Sequence, residues 1–259
     1  MARGWRFGPS PVRAAALLSI VACVLALYGL TTASALAIQR IDVSPLSWTD
    51  HDELIRWLGV DPGVNAFQLP TGSLAERIEE LPAVASAHVA VSLPGTLTVT
   101  VTEREPILAW QVGDTTFLVD RDGMLFALAG KTAASTATLP TIVDGRGASL
   151  AVLGIGTRLD PTDLDAATRL ASLKPADVGS QASGLAVRIT DADGFTLTTS
   201  PASWTAVFGP YSPVLRSPDL IPGQVRLLRS ILFGRETQLA RIVLADDKNA
   251  TVLPLASSH

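Results

Sequence analysis

LPAVASAHVAVSLPGTLTVTVTEREP, residues Leu81 to Pro106, sets the fold of the first half of the chain. Ala87, Val89, Val91 and Leu93 alternate with His88, Ala90 and Ser92; Pro94-Gly95 is a turn pair; Leu97, Val99 and Val101 then alternate with Thr98, Thr100 and Thr102. A period of two on both sides of a Pro-Gly pair predicts a β-hairpin with one apolar face. Upstream, Leu74, Ile78 and Leu81 repeat at helical spacing behind a Ser73-Leu74-Ala75-Glu76 capping box, and Pro82 stops that helix. A turn-rich stretch, Asp61 to Asn65, separates it from an earlier helix with Leu54, Trp57 and Leu58 on one face, capped by Thr49 and Asp52 and ended by Gly59. Gln39 to Val43 reads as a short strand. The order strand, helix, helix, strand, strand covers one sheet face and leaves the other, with at least one edge, to a partner.

Ahead of this module, Ala14 to Ile38 is 25 residues without a formal charge. As a helix it would be about 37 Å long, enough to cross a hydrocarbon core of about 30 Å. Arg3, Arg6 and Arg13 precede it, which predicts a cytoplasmic N-terminus and an extracytoplasmic bulk from about residue 39. The competing reading is a cleaved secretory signal, because Ala33-Ser34-Ala35 and Ala35-Leu36-Ala37 are small-residue cleavage triplets. The module that begins almost at the end of the segment favours a retained, single-pass anchor.

Downstream, a Phe117–Val119 and Met124–Phe126 hairpin is followed by an Ala/Thr/Ser/Gly-rich loop over about Ala127 to Thr138 and short apolar pieces at Leu139–Val143 and Ala151–Leu153. A helix opens at Asp160-Pro161 with Leu164, Ala167, Leu170 and Ala171 as its stripe. Strands follow at Leu185–Ile189, Phe195–Thr199 and Trp204–Phe208, then a helix introduced by Pro222-Gly223 with Val225, Leu228, Ile231 and Leu232. A last strand pair, Leu239–Leu244 and Ala250–Leu253, is joined by Asp246-Asp247-Lys248-Asn249. The fold class is α+β: one N-terminal transmembrane helix, a small module, then a β-rich domain.

The run from Leu81 through Glu103-Arg104-Glu105-Pro106, then Trp110, then Leu118-Val119-Asp120-Arg121-Asp122-Gly123-Met124-Leu125-Phe126, resembles the FtsQ/DivIB family of bacterial division proteins, whose first extracytoplasmic module is a POTRA domain. The resemblance implies a cytoplasmic tail over 1–13, a transmembrane helix over 14–38, a POTRA domain over 39–107 and an FtsQ-type β domain over 108–259. It implies a non-enzymatic scaffold at the division septum, with FtsB-like and FtsL-like proteins and other divisome components as partners. It places partner binding on the final strands, by strand addition, which selects Ile242, Leu244, Ala250, Thr251, Val252 and Leu253. Asp246 and Pro254 stand in this region where some family members carry aromatic residues. Taken singly, the motif residues have plain structural roles: Pro82 and Pro94 punctuate, Gly123 is a turn glycine, and Glu103-Arg104 forms an exposed ion pair.

Composition agrees with a protein-binding role. All 24 acidic residues lie from Asp42 onward with 16 of the 20 basic ones, leaving that part at −8 without a Lys/Arg cluster, which argues against nucleic acid. Cys23 alone excludes an intrachain disulfide and thiolate zinc sites. His51, His88 and His259 have no nucleophile motif beside them, and there is no Gly-x-Ser-x-Gly, His-Glu-x-x-His or P-loop. Gly154-Ile155-Gly156 lacks the third glycine of a dinucleotide fingerprint. The pairs Asp120/Asp122, Asp191/Asp193 and Asp246/Asp247 fall in predicted turns, where Asp bonds nearby backbone. Neither a cofactor nor an enzymatic activity is expected. The alternatives are a secreted ligand-binding protein or hydrolase released by signal cleavage, and a POTRA-bearing transport protein, which would continue into a barrel.

Overall fold

The computed structural model describes residues 11–32, 36–61, 63–130, 138–201, 203–214 and 216–255. The predicted tail over 1–13 up to Ser10, the Ala33-Ser34-Ala35 triplet, Pro62, most of the predicted 127–138 loop and His259 lie outside the described residues. Two compact units are present, one holding residues to Glu80 with Val84–Thr102, the other Leu81–Ala83 with Glu103 onward.

In the first unit α1 runs Pro11–Thr32. Its side chains are described without a break from Val12 to Ala26, about 22 Å of axis at 1.5 Å per residue. Among the described residues no helix is long and apolar enough to cross a membrane, so the span expected over 14–38 is not reproduced as such. The helix begins three residues before the predicted start and ends six before its predicted end.

The strand-helix-helix-strand-strand order is observed: β1 (Arg40–Val43), α2 (His51–Leu58), α3 (Thr71–Glu79), β2 (Val84–Ser92) and β3 (Thr96–Glu103). The sheet order is β1-β3-β2, with β1 parallel to β3 from Arg40 opposite Thr96 to Val43 opposite Val99. Leu54, Leu58, Ile78, Leu97 and Val99 are fully buried, each such side chain contributing about 1.5–3 kcal/mol. Two caps differ from expectation. Asp50, not Thr49, caps α2: its Oδ1 accepts the N–H groups of Asp52 and Glu53, both at 3.1 Å. Ser73 lies inside α3, whose N-cap is Pro70 and carries no side-chain bond, so the predicted capping box does not form. Gly59 ends α2 at φ 60°, the left-handed position where a side chain is strained.

The second unit is built on one sheet: β4 (Leu108–Val112), β5 (Thr115–Val119), β6 (Leu125–Leu128), β7 (Thr141–Asp144), β8 (Gly184–Thr190), β9 (Gly194–Ser200), β10 (Thr205–Gly209), β11 (Leu239–Leu244) and β12 (Ala250–Pro254). The spatial order is β12-β11-β10-β9-β8-β7-β4-β5-β6, with β10–β11, β8–β7 and β7–β4 parallel. Three helices accompany it: α4 (Gly147–Val152), α5 (Pro161–Ala171) and α6 (Ile221–Leu232). Helix α5 packs on β7 and β8, and α6 on β10 and β11. One continuous core joins Trp110, Ile142, Leu197 and Phe208 of the sheet to Ala167 and Leu170 of α5 and Leu228 and Leu232 of α6. The apolar piece Ala151–Leu153 forms the end of α4 and its C-cap.

Candidate functional site

The sheet of the second unit has two edges, and they are treated differently. At β6 a passing segment supplies backbone partners: Leu125 N–H donates to Thr157 O at 2.9 Å, Gly156 N–H to Leu125 O at 2.8 Å and Leu159 N–H to Gly123 O at 2.9 Å. At β12 no such cover exists among the described residues. The strand is antiparallel to β11, from Leu244 opposite Ala250 to Arg241 opposite Leu253, and Ala245 N–H donates to Asn249 O at 2.9 Å. That bond fixes the alternation of the ladder: Thr251 and Leu253 turn their backbone groups to β11, while Ala250 and Val252 turn theirs outward. An open row of donors and acceptors is a template for an added strand.

The six residues selected from sequence therefore divide. Ile242 and Leu244 are 0% and 1% exposed and belong to the core, so their side chains are withheld from the surface. Ala250 is half-buried against that core, while Thr251, Val252 and Leu253 are exposed on β12. The inward pair holds the strand and the outer residues present it.

Helix α6 fixes the position of this terminal hairpin through two residues to which sequence gave no such role. Gln224 is fully buried, and its Nε2 donates to the carbonyls that end two parallel strands, Phe208 at 3.3 Å and Leu244 at 3.2 Å. Its Oε1 accepts the hydroxyl of Tyr211 at 2.7 Å, and burial pushes that phenol well above its ordinary range. Arg216 reinforces the same carbonyls from Nη2, at 2.6 Å to Phe208 and 2.7 Å to Leu244. Gly223 meets the β11–β12 turn so closely that a Cβ would lie 2.4 Å from the Asp247 Cβ. Gln224 precedes the predicted stripe of Val225, Leu228, Ile231 and Leu232, and no sequence pattern marks it as buried; once buried, such a group must find partners.

The motif residues form a brace. Arg104 is not merely an exposed partner of Glu103: its Nη1 meets Asp120 Oδ2 at 2.5 Å, with side chains only 15% and 8% exposed, and its Nε donates to Pro82 O at 3.0 Å. Asp120 Oδ1 in turn accepts Asp122 N–H at 2.9 Å and Met124 N–H at 2.8 Å around Gly123, whose φ is 78°. Trp110 Nε1 donates to Asp144 Oδ2 at 3.2 Å.

Asp144 also receives Arg146, at 2.7 and 3.0 Å, and Ser149 Oγ at 2.8 Å; Arg146 Nη1 reaches Asp163 at 2.6 Å. Burial alone would push the Asp144 carboxyl up, but the hydrogen bonds from Arg146 and Ser149 outweigh it and hold the group below the usual range. At Asp163 burial wins despite the same guanidinium, and its carboxyl is raised. Asp191 and Asp193 are spent on structure as well, Asp191 accepting Gly147 N–H at 2.9 Å and Asp193 pairing with Arg241 at 2.6 Å. Asp246 folds its own turn, accepting the N–H groups of Lys248 and Asn249 at 2.7 Å. Among the described residues no group of three or more His, Cys, Asp or Glu is placed to hold a metal ion.

Comparison with known proteins matches residues 36–104 to the POTRA domain, FtsQ-type. Residues 36–104 are thus an FtsQ-type POTRA domain. The chain is similar to the cell division protein FtsQ of Mycobacteroides abscessus, 34% identical over 92 residues, 36% of this chain and 30% of that protein. It is also similar to FtsQ of Mycolicibacterium smegmatis, 34% identical over 113 residues, 44% and 34% of the two chains, and of Corynebacterium glutamicum, 31% over 111 residues, 42% and 50%. The matches thus span from 30% to 50% of those relatives' lengths. The POTRA module carries the family signature, and Arg104 of the Arg104–Asp120 brace is the last residue of that match.

Proposed function

We propose that this chain is a non-enzymatic scaffold of the bacterial divisome, a membrane-tethered member of the family that links division proteins at the septum. The observation that carries the reading is the edge strand β12 of the nine-stranded sheet, uncovered among the described residues and held in place by a buried apolar row and by Gln224. Strand addition there needs main-chain groups and an apolar rim, and Val252 and Leu253 supply the rim. The occupant proposed is a strand of an FtsB-like protein, delivered with an FtsL-like one. The division proteins named among its relatives support the process; the geometry of β12 supports the mode.

In this reading residues 1–13 are a cytoplasmic tail, the segment from 14 is the single-pass anchor in the inner (plasma) membrane and gives way before Ala37 and Ile38, which are bonded into the POTRA domain that runs to 107, and 108–259 is the partner-binding β domain. The anchor is supported by an uncharged sequence from Ala14 to Ile38 and by α1 side chains exposed all around: Leu17, Leu18, Ile20, Val24 and Leu25 are each more than half exposed. A helix apolar on every face belongs in lipid. The test is depletion combined with tagging of the full chain in its own host. The reading expects filamentous cells on depletion and a tagged protein enriched at midcell; normal division with an evenly distributed tag would overturn it.

A further inference from the structure

We infer that the POTRA module touches the lipid surface through two turns that bracket its chain entry, a contact that rests on the anchor reading above. Residues 37–40 enter the module clamped from both sides. On one side the N–H groups of Gln39 and Arg40 donate to Gly95 O at 2.8 and 3.2 Å, and Gly95 approaches so closely that a Cβ there would lie 2.4 Å from Ala37 O. On the other, Ile38 N–H donates to Val64 O at 2.8 Å, Gly63 N–H to Ile38 O at 3.1 Å, and Ala37 bridges Asn65.

Each flanking turn carries a large apolar side chain in water. Leu93, before Gly95, and Phe67, after Asn65, are each 60% exposed. The backbone of Phe67 is fixed by Asn65, whose Oδ1 accepts its N–H at 2.9 Å. Among the described residues of this unit outside α1, the remaining exposed large hydrophobic residue is Trp57, at 38%. The exposed apolar surface is thus concentrated at one end, where the chain arrives from α1. The end of α1 at Thr32 is five residues before Ala37, a reach of at most about 18 Å. With α1 in the bilayer, Ala37 lies within that distance of the membrane exit and both turns pack directly against the segment it opens, which brings them to the headgroup boundary where aromatic and leucine side chains settle.

The occupant is a neutral lipid interface. The charged residues nearest the clamp in sequence, Arg40, Asp42 and Asp61, are all exposed and sum to −1, so the surface has no demand for anionic headgroups. Two apolar contacts beside the tether restrict the swing of the module about its anchor.

The test uses the full chain in phosphatidylcholine vesicles with brominated acyl chains. Single cysteines Leu93→Cys, Phe67→Cys and Ser86→Cys are labelled with an environment-sensitive fluorophore in a Cys23→Ala background, and native Cys23 is labelled separately. Ser86 is exposed on β2, about 23 Å along the strand from Leu93. The expected result is quenching several-fold stronger at 93 and 67 than at 86. Quenching at 93 and 67 no greater than at 86, with Cys23 quenched, would leave the anchor standing and overturn the contact. An unquenched Cys23 would overturn both. Disulfide-linked pairs of the unlabelled Leu93→Cys chain, with the labels at 93 unquenched, would assign the surface to a second copy and overturn the lipid contact.

Discussion

Ile242 and Val252 stand directly opposite each other across the last antiparallel pair, yet Ile242 is fully buried and Val252 is 37% exposed. The core ends between them. Ile242→Ala should cost about 2–4 kcal/mol, the transfer loss of a buried isoleucine plus its cavity, whereas Val252→Thr should stay within about 0.5 kcal/mol. Denaturant unfolding of both variants checks this; equal losses would mean that β12 is as much core as β11.

Gly223 should behave as a contact residue despite being a glycine. A methyl group there meets the Asp247 Cβ, not the far end of a flexible side chain, so the β11–β12 turn must move away from α6. Gly223→Ala should lose about 1–3 kcal/mol by overpacking, read as a fall in unfolding midpoint. Amide exchange should speed up in 245–253 before it does in β8 and β9.

Asp50 and Ser73 test the capping assignments. Asp50→Ala should cost about 1 kcal/mol because two N–H groups lose their acceptor, while Ser73→Ala, on the exposed face of α3, should be near neutral. Thermal unfolding of the two variants decides between this assignment and a Ser73 cap.

The Asp144–Arg146–Asp163 cluster gives a pH dependence with a definite sign. The folded Asp144 carboxyl lies below its unfolded value of about 3.9, so its contribution is present above that value and is lost as pH falls through the folded one. Glu236 acts in the same sense: burial opposes it, but hydrogen bonds from Ser180, Trp204 and Gln181 N–H hold it below its ordinary range. Asp163 acts oppositely, its raised folded value adding stability as it protonates. Asp144→Asn should therefore flatten the acid loss of stability between about pH 5 and 3, and Asp163→Asn should steepen it. Arg146→Met at neutral pH should cost about 2–4 kcal/mol, since the Asp144 carboxylate loses its partner while 24% of the Arg146 side chain had remained in water.

The POTRA order and most strands of the second unit were legible because their patterns are local: alternation around Pro94-Gly95, the Asp160-Pro161 helix start, the Asp191–Gly194 turn. Asp160 does cap α5, accepting Thr162 N–H at 2.8 Å. Strand β4 was not legible, because LAWQV lies between strands and is buried at four of five positions, so it shows no alternation. The Arg104–Asp120 pair spans 16 residues and the Gln224–Leu244 bond 20, and no short-range pattern announces either. On β12 the strand was legible, but not which residues face out: a period of two does not say where the core ends.

Val252→Pro in the full chain tests the docking edge most directly. Val252 turns its N–H away from β11, so proline there removes an outward donor and spares the ladder, the position in a sheet where proline is tolerated. Thr251→Pro, by contrast, breaks a bond to β11. The account predicts that the Val252→Pro chain unfolds close to the parent midpoint, reaches midcell, fails to co-purify an FtsB-like partner and leaves depleted cells filamentous. Undiminished co-purification with restored division would contradict it and remove β12 from the interface.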